Sequence, residues 1–158
     1  MGLDGEELVT AWVALSPSTS ENGCTKVLPG SHLEGENPHH DTFEKNYVLH
    51  LGQELEVDED KTVSIELQPG EVSLHHGWVA HSSHPNKSDD RRIGLSLQYI
   101  TPRMKQKKTE SESALLVRGQ DRFNHFRPEP VCTNDFDPAM VTYQAESEIL
   151  KHEVYDTD

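Results

Sequence analysis

Short segments of β-prone residues, separated by turn residues, restrict the fold of this sequence more than any other feature. The segment from Leu8 to Leu15 is rich in β-branched and aromatic residues and ends at Ser16-Pro17. Residues 93–99 place apolar side chains at every second position, which is the period of a strand with one buried face. About six such strands, followed by a helix over Ala139–Lys151, predict a mainly β jelly roll with a short C-terminal helical tail.

The remaining strands and turns are predicted from the same signals. Asn22-Gly23 and Pro69-Gly70 are turn dipeptides, and the composition becomes polar from 31 to 60. We interpret that polar stretch as a long loop and a candidate substrate lid, because long loops in compact domains are often functional. The strands predicted between these turns are Cys24–Leu28, Thr62–Leu67, Val72–His75 and Trp78–His81.

A hairpin between the strands at 78–81 and 93–99 would bring two functional side chains together. Its turn near Asn86 would make His81 and Arg92 approximate cross-strand neighbours. A neutral imidazole suits divalent iron, and a guanidinium group suits a carboxylate. Ser83 lies on the same face as His81 and could bind the same carboxylate. Arg92 is preferred to Arg91, because Arg92 shares a strand face with small and polar residues.

Other candidate residues leave alternatives open. Trp12 is either a core residue or a cavity wall. His75 and His76 point to opposite faces of their strand, so one of them could line a cavity. The His39-His40-Asp41 tripeptide could form a two-histidine, one-carboxylate metal site with His81, although loop histidines are more often exposed to solvent.

Size and charge bound the possible partners. The 158 residues suit one domain, and the 14 basic against 28 acidic residues give a formal net charge of −14. That charge argues against nucleic acid or an anionic membrane surface as a partner. The two cysteines lack metal-type spacing and are expected to be free thiols. No secretory signal or membrane-spanning segment is legible, so we expect a cytoplasmic protein.

Three sequence blocks in a fixed order carry a family resemblance. The chain resembles the phytanoyl-CoA dioxygenase family over roughly residues 8–101. The blocks are Val9–Leu15, then Glu21–Cys24 running into Leu28–His32, and finally Gly70–His81 with Asn86, Arg92 and Tyr99.

The resemblance implies a double-stranded β-helix that uses Fe(II) and 2-oxoglutarate to hydroxylate a small organic substrate. His81 matches the distal metal-binding histidine of the family, and Arg92 matches its 2-oxoglutarate arginine. Trp12 and Ser83 match positions that line the cosubstrate pocket. No catalytic side chain beyond these is assigned.

One family element is missing from this sequence. The His-x-Asp pair of the family should fall just upstream of Met1, as should the first barrel strands. We therefore expect an inactive, N-terminally truncated chain, with a partial jelly-roll core over 1–101 and a C-terminal extension with an acidic tail over 102–158. The alternatives are a non-catalytic jelly-roll binding module and a halogenase of the same fold. Exposed sheet edges would favour a homo-oligomer.

Overall fold

The computed structural model describes residues 2–35, 40–42, 52–54, 57–110 and 112–155. The chain divides into two compact units, Glu6–Tyr99 and Met1–Gly5 together with Ile100–Asp158. Over these described residues the chain is mainly β, with one α-helix near the C-terminus and two short 3₁₀ helices at Ser31–Glu34 and Glu59–Lys61. The strands are β1 Leu3–Asp4, β2 Leu8–Ala14, β3 Thr25–Val27, β4 His40–Thr42, β5 Gly52–Glu54, β6 Val63–Ile65, β7 Val72–His76, β8 His81–Ser83, β9 Gly94–Ile100, β10 Lys105–Gln106, β11 Ser113–Ala114 and β12 Arg127–Pro128; the helix is α1 Pro138–Tyr155.

The described strands of the larger unit form two three-stranded sheets and the two-stranded pair β4–β5. One sheet has the order β7-β2-β9 and the other has the order β6-β3-β8. The pairs β2–β7, β3–β6 and β3–β8 are antiparallel. The predicted strands at Leu8–Leu15, Cys24–Leu28, Thr62–Leu67 and Val72–His75 are therefore confirmed, with small shifts at their ends.

The described core of the larger unit contains few large side chains. Among the residues of this unit that the structure describes, the buried apolar ones are Leu8, Ala11, Ala14, Cys24 and Val79. The apolar side chains of β9 and β7 remain largely exposed, with Leu74 71% and Leu95 47% accessible. The expected burial of the apolar β9 face is therefore not seen in this chain, because no described element covers that face.

Two strand predictions near the functional residues are wrong. The predicted hairpin between 78–81 and 93–99 does not form, because β8 pairs with β3 while β9 pairs with β2 in the other sheet. The connecting residues cross between sheets, and the Asn86 side chain holds this link by donating to the Asp90 carbonyl at 2.7 Å. Trp78 lies in a turn rather than a strand, since its N–H donates to His76 Nδ1 at 3.1 Å.

The smaller unit contains short strand pairs and the C-terminal helix. β1 pairs with β10, and β11 pairs with β12. The helix begins where sequence chemistry favours it: Asp137 Oδ1 accepts from the Ala139 N–H at 3.0 Å, and Pro138 occupies the first helical position. The predicted helix over 139–151 is confirmed and extends to Tyr155. Over the described residues, no helix has both the length and the apolar character needed to cross a bilayer.

Candidate functional site

Arg92 and Trp12 form the first element of the candidate site. The Arg92 guanidinium carbon lies 5.3 Å from the centroid of the Trp12 ring, a cation–π arrangement. The Trp12 ring can occupy this position because Gly94, on the adjacent strand, has no side chain. A Cβ at position 94 would fall 2.8 Å from Trp12 Cη2 and closer still to two other ring atoms. The Trp12 side chain is half-buried, and both interpretations of it, core residue and cavity wall, stay predictions.

His81 begins strand β8 with a defined ring orientation. Its Nδ1 lies 2.9 Å from the Val79 carbonyl oxygen. Because a carbonyl can only accept, Nδ1 carries the hydrogen when the ring is neutral, and the Nε2 lone pair is then available. A metal-binding histidine typically has this arrangement, with one nitrogen donating to the protein and the other facing the metal. Ser83 lies two residues further along β8, so the two side chains share one face, as predicted.

The prediction that His81 and Arg92 are neighbours across one hairpin is wrong. His81 pairs with Val27, and Ser83 pairs with Thr25, both across the β8–β3 ladder. Arg92 precedes β9, which pairs with β2 in the other sheet. The predicted site residues therefore fall into two groups, Arg92 with Trp12 on one sheet and His81 with Ser83 on the other.

His75 meets His81 from the opposite sheet. The two rings have centroids 5.5 Å apart and are tilted by 45°. In the β2–β7 ladder, His75 lies directly opposite Thr10, and Ser73 lies opposite Trp12, so all four residues share one sheet face. Burial, and secondly the charge of the neighbouring His81, lower the pKa of His75. This is the histidine of the His75-His76 pair that faces the site.

His76 lies on the other face of β7 and forms a separate cluster. Its ring is 5.3 Å from that of His32 and 5.6 Å from that of Trp78. These rings pack where the 3₁₀ helix at Ser31–Glu34 approaches the end of β7. The ring contact with His76 gives a packing role to His32, the last residue of the Leu28–His32 block.

Ser31 is a supporting residue that sequence reasoning missed. Its hydroxyl donates to the Leu28 carbonyl at 2.8 Å and accepts from the Ala80 N–H at 2.9 Å. The Leu28 N–H also donates to the Ala80 carbonyl at 2.9 Å. The Pro29-Gly30-Ser31 block therefore fixes the backbone immediately before His81. These residues fall within the Leu28–His32 block of the sequence, which carries no local signal for the distant contact with Ala80.

The alternative three-residue metal site is not supported by the described geometry. His39 lies outside the described residues, and Asp41 lies in β4 opposite Gln53. Within the described ranges, no group of three or more His, Cys, Asp or Glu side chains could hold a metal ion. His81 thus offers one metal-binding nitrogen, and a complete coordination shell needs further donors.

Comparison with known families adds an independent finding. The family model described as phytanoyl-CoA dioxygenase matches residues 3–94. A curated relative in Dictyostelium discoideum, a phytanoyl-CoA dioxygenase domain-containing protein 1 homolog, is 33% identical over 93 residues. That match covers 56% of this chain and 33% of the relative. The chain therefore spans about a third of the length of such relatives.

Solved structures extend the similarity to the fold. The non-haem monooxygenase ThoJ superposes with a TM-score of 0.79 at 37% identity, covering 95% of this chain and 55% of ThoJ. A nickel complex of ThoJ gives a TM-score of 0.73 at 35% identity, covering 95% of this chain and 54% of that one. EvdO2 from Micromonospora carbonacea var. aurantiaca, complexed with 2-oxoglutarate, has a TM-score of 0.51 at 29% identity, covering 58% of this chain and 37% of EvdO2.

Proposed function

The chain belongs to the phytanoyl-CoA dioxygenase family, and on that premise we propose that it carries part of an Fe(II)- and 2-oxoglutarate-dependent dioxygenase centre. The proposed fold of this part is a double-stranded β-helix. Its two sheets, with His75 and His81 facing each other between them, support that arrangement. The proposed reaction is hydroxylation of an unactivated C–H bond in a small organic substrate.

Arg92 is the proposed anchor of the cosubstrate, and the position of its guanidinium group over the Trp12 ring is the observation that carries the proposal. This cation–π contact restricts the position of a guanidinium group whose paired N–H donors match the two oxygens of a carboxylate. The distal carboxylate of 2-oxoglutarate is such a group. We propose that the Ser83 hydroxyl contributes a hydrogen bond to the same carboxylate and that Trp12 forms a wall of the pocket.

His81 is the proposed metal ligand. Its hydrogen bond to Val79 leaves Nε2 available, and neutral imidazole is a suitable ligand for Fe(II). When bound, Fe(II) with 2-oxoglutarate supplies the oxidising chemistry, while the protein orients the cosubstrate and limits access of water. Because the described residues offer few metal donors, we propose that turnover requires ligands from outside them.

Two neighbouring arginines provide a matched test of the cosubstrate assignment. Binding of 2-oxoglutarate is measured by calorimetry in the presence of Mn(II), for the parent chain, Arg92→Ala and Arg91→Ala. Arg92 is half-buried, whereas Arg91 is exposed. Loss of a charged hydrogen-bond pair predicts binding weaker by roughly 10- to 100-fold in Arg92→Ala. Arg91→Ala should bind like the parent.

The opposite pattern would refute the assignment. Equal affinities in the parent and Arg92→Ala would show that this arginine does not bind the cosubstrate. A comparable loss in Arg91→Ala would show that general positive charge, rather than the Trp12-supported guanidinium, attracts the ligand.

A further inference from the structure

A groove in the smaller unit is lined by none of the residues assigned to the metal or the cosubstrate. Its volume is about 460 Å³, and α1, β11, β12 and the segment before α1 all contribute to its lining. Met140, Tyr143, Ser147 and Leu150 line it from α1, at the three- and four-residue spacing of one helix face. Pockets for small ligands commonly measure roughly 300–1,000 Å³, so this groove has the size of a ligand site.

Two hydroxyl groups on this helix face have buried oxygen atoms. Tyr143 Oη and Ser147 Oγ, about one helical turn apart, have no hydrogen-bond partner among the described residues. Buried polar groups are nearly always paired, so two such exceptions on neighbouring lining residues indicate a place where a ligand supplies the hydrogen bonds. A hydroxyl oxygen has two lone pairs, so both atoms can accept from a donor.

The charges along the groove favour a cationic ligand. Among the described residues that line it, four are carboxylates and one, Arg127, is basic, which gives a formal charge of −3. The net charge of the whole chain, −14, has the same sign. A surface of this charge attracts cations and repels anions. The four carboxylates belong to Glu112, Glu129, Asp137 and Glu148.

Aromatic and apolar side chains complete the lining. The Arg127 guanidinium carbon already lies 5.9 Å from the centroid of the Tyr143 ring. Phe136 also lines the groove and is 91% accessible, and its backbone φ of 54° is unfavourable for a bulky residue. An exposed aromatic ring attracts a cation through its face. The groove therefore combines surfaces for a positive charge and for an apolar body.

We propose that this groove binds an organic ammonium ion with an apolar body. The ammonium group can only donate, so it bonds to the hydroxyl oxygens of Tyr143 and Ser147, and the carboxylates attract it. The apolar body packs against Met140 and Leu150. The groove is a second ligand site, and its failure would leave the proposed function untouched.

Three probes that share one apolar body test the charge preference. They are 4-phenylbutylamine, the neutral 4-phenylbutanol and the anionic 4-phenylbutyrate, each measured by calorimetry. Occupancy of the groove is followed by the rate at which neutral iodoacetamide alkylates Cys132. This thiol lines the groove and is exposed, whereas Cys24 is 2% accessible, so the reaction reports on the groove. We expect the amine to bind best and to slow alkylation most, and the butyrate to do neither.

Two glutamates of α1 provide a matched pair. Glu148 lines the groove, and Glu146 is exposed on the same helix but does not line it. Glu148→Gln should weaken binding of the amine by roughly two- to fivefold, and Glu146→Gln should bind like the parent. Tyr143→Phe, which removes one acceptor and keeps the ring, should weaken it by roughly two- to tenfold.

A larger side chain in the groove should displace the ligand. We expect Ser147→Leu to bind the amine at least about tenfold more weakly, because the added atoms occupy its space. Gln144→Trp, at an exposed lining position, replaces Ser147→Leu if the leucine variant does not fold.

Three outcomes would overturn the proposal. Tighter binding of the butyrate than of the amine would show that the ligand class is wrong. Equal binding of all three probes would show an apolar groove without charge selection. An unchanged rate of Cys132 alkylation at saturating amine would show that the amine binds elsewhere.

Discussion

Gly94 lies beneath the Trp12 ring and provides a sensitive test of the local geometry. A Cβ at position 94 would lie 2.8 Å from Trp12 Cη2 and closer still to Cζ2 and Cε2. Carbon atoms pack best at about 3.5–4.0 Å, so in Gly94→Ala the ring must withdraw by roughly 1.5 Å, a displacement set by its nearest atom, Cζ2. Forcing such a rearrangement costs about 1–3 kcal/mol.

The displacement should also reduce cosubstrate binding, because Arg92 rests on the ring that moves. Stability is measured by urea unfolding and affinity by titration with 2-oxoglutarate in the presence of Mn(II). Ser96→Ala, an exposed position on the same strand, is the control and should change neither quantity. Trp12→Phe combined with Gly94→Ala should unfold at a higher urea concentration than Gly94→Ala alone, because the smaller ring relieves the overlap.

Gly94→Ala with parental stability and parental affinity would refute this reasoning. It would mean that the ring has free space to move, so that Trp12 does not hold Arg92 in place. An equal loss of stability and affinity in Ser96→Ala would show that the effect comes from the strand as a whole rather than from the Trp12 ring.

Two further predictions concern the framework around the site. Ser31→Ala should lower the free energy of unfolding by about 1–3 kcal/mol, because the half-buried Ala80 N–H loses the buried Ser31 hydroxyl as its acceptor. Urea unfolding should show no such change in the exposed control Ser82→Ala. The exposed apolar side chains of β7 and β9 predict that the chain self-associates, and Leu74→Lys should weaken this association. A monodisperse monomer at all concentrations in light scattering would contradict the prediction.

Much of the strand content was predictable because its signals are local. The β-branched run at Leu8–Leu15 and the turn at Pro69-Gly70 both function as the sequence indicates. The Asp137-Pro138 start of the helix is equally local, since the cap and the first-turn proline act within three residues.

Strand pairing was less predictable because it depends on distant partners. The Pro85-Asn86 turn signal suggests a hairpin, but the ladder of β8 with β3 and of β9 with β2 overrides it. Strand order in a two-sheet fold is set by which faces bury together, and a single turn does not encode that choice. Because the predicted hairpin is wrong, the prediction that His81 and Arg92 are cross-strand neighbours is wrong as well.

The sequence predicts individual residues of the candidate site but not their arrangement in space. Alternation predicts that Arg92 shares a face with the small residues of the strand at 93–99, because strand parity is a local property. In the structure, both Arg92, just before β9, and Gly94 lie against the Trp12 ring. The contact between His75 and His81 across the two sheets could not be predicted, because the sequence carries no signal for distances between sheets.

The most direct test of the central claim is an anaerobic titration of the chain with Fe(II) and 2-oxoglutarate, followed by the visible charge-transfer absorption of the chelate. We predict a saturable band that disappears in His81→Ala and requires roughly 10- to 100-fold more 2-oxoglutarate in Arg92→Ala. No band in the parent chain, or an identical band in all three proteins, would contradict the assignment of this site to Fe(II) and 2-oxoglutarate.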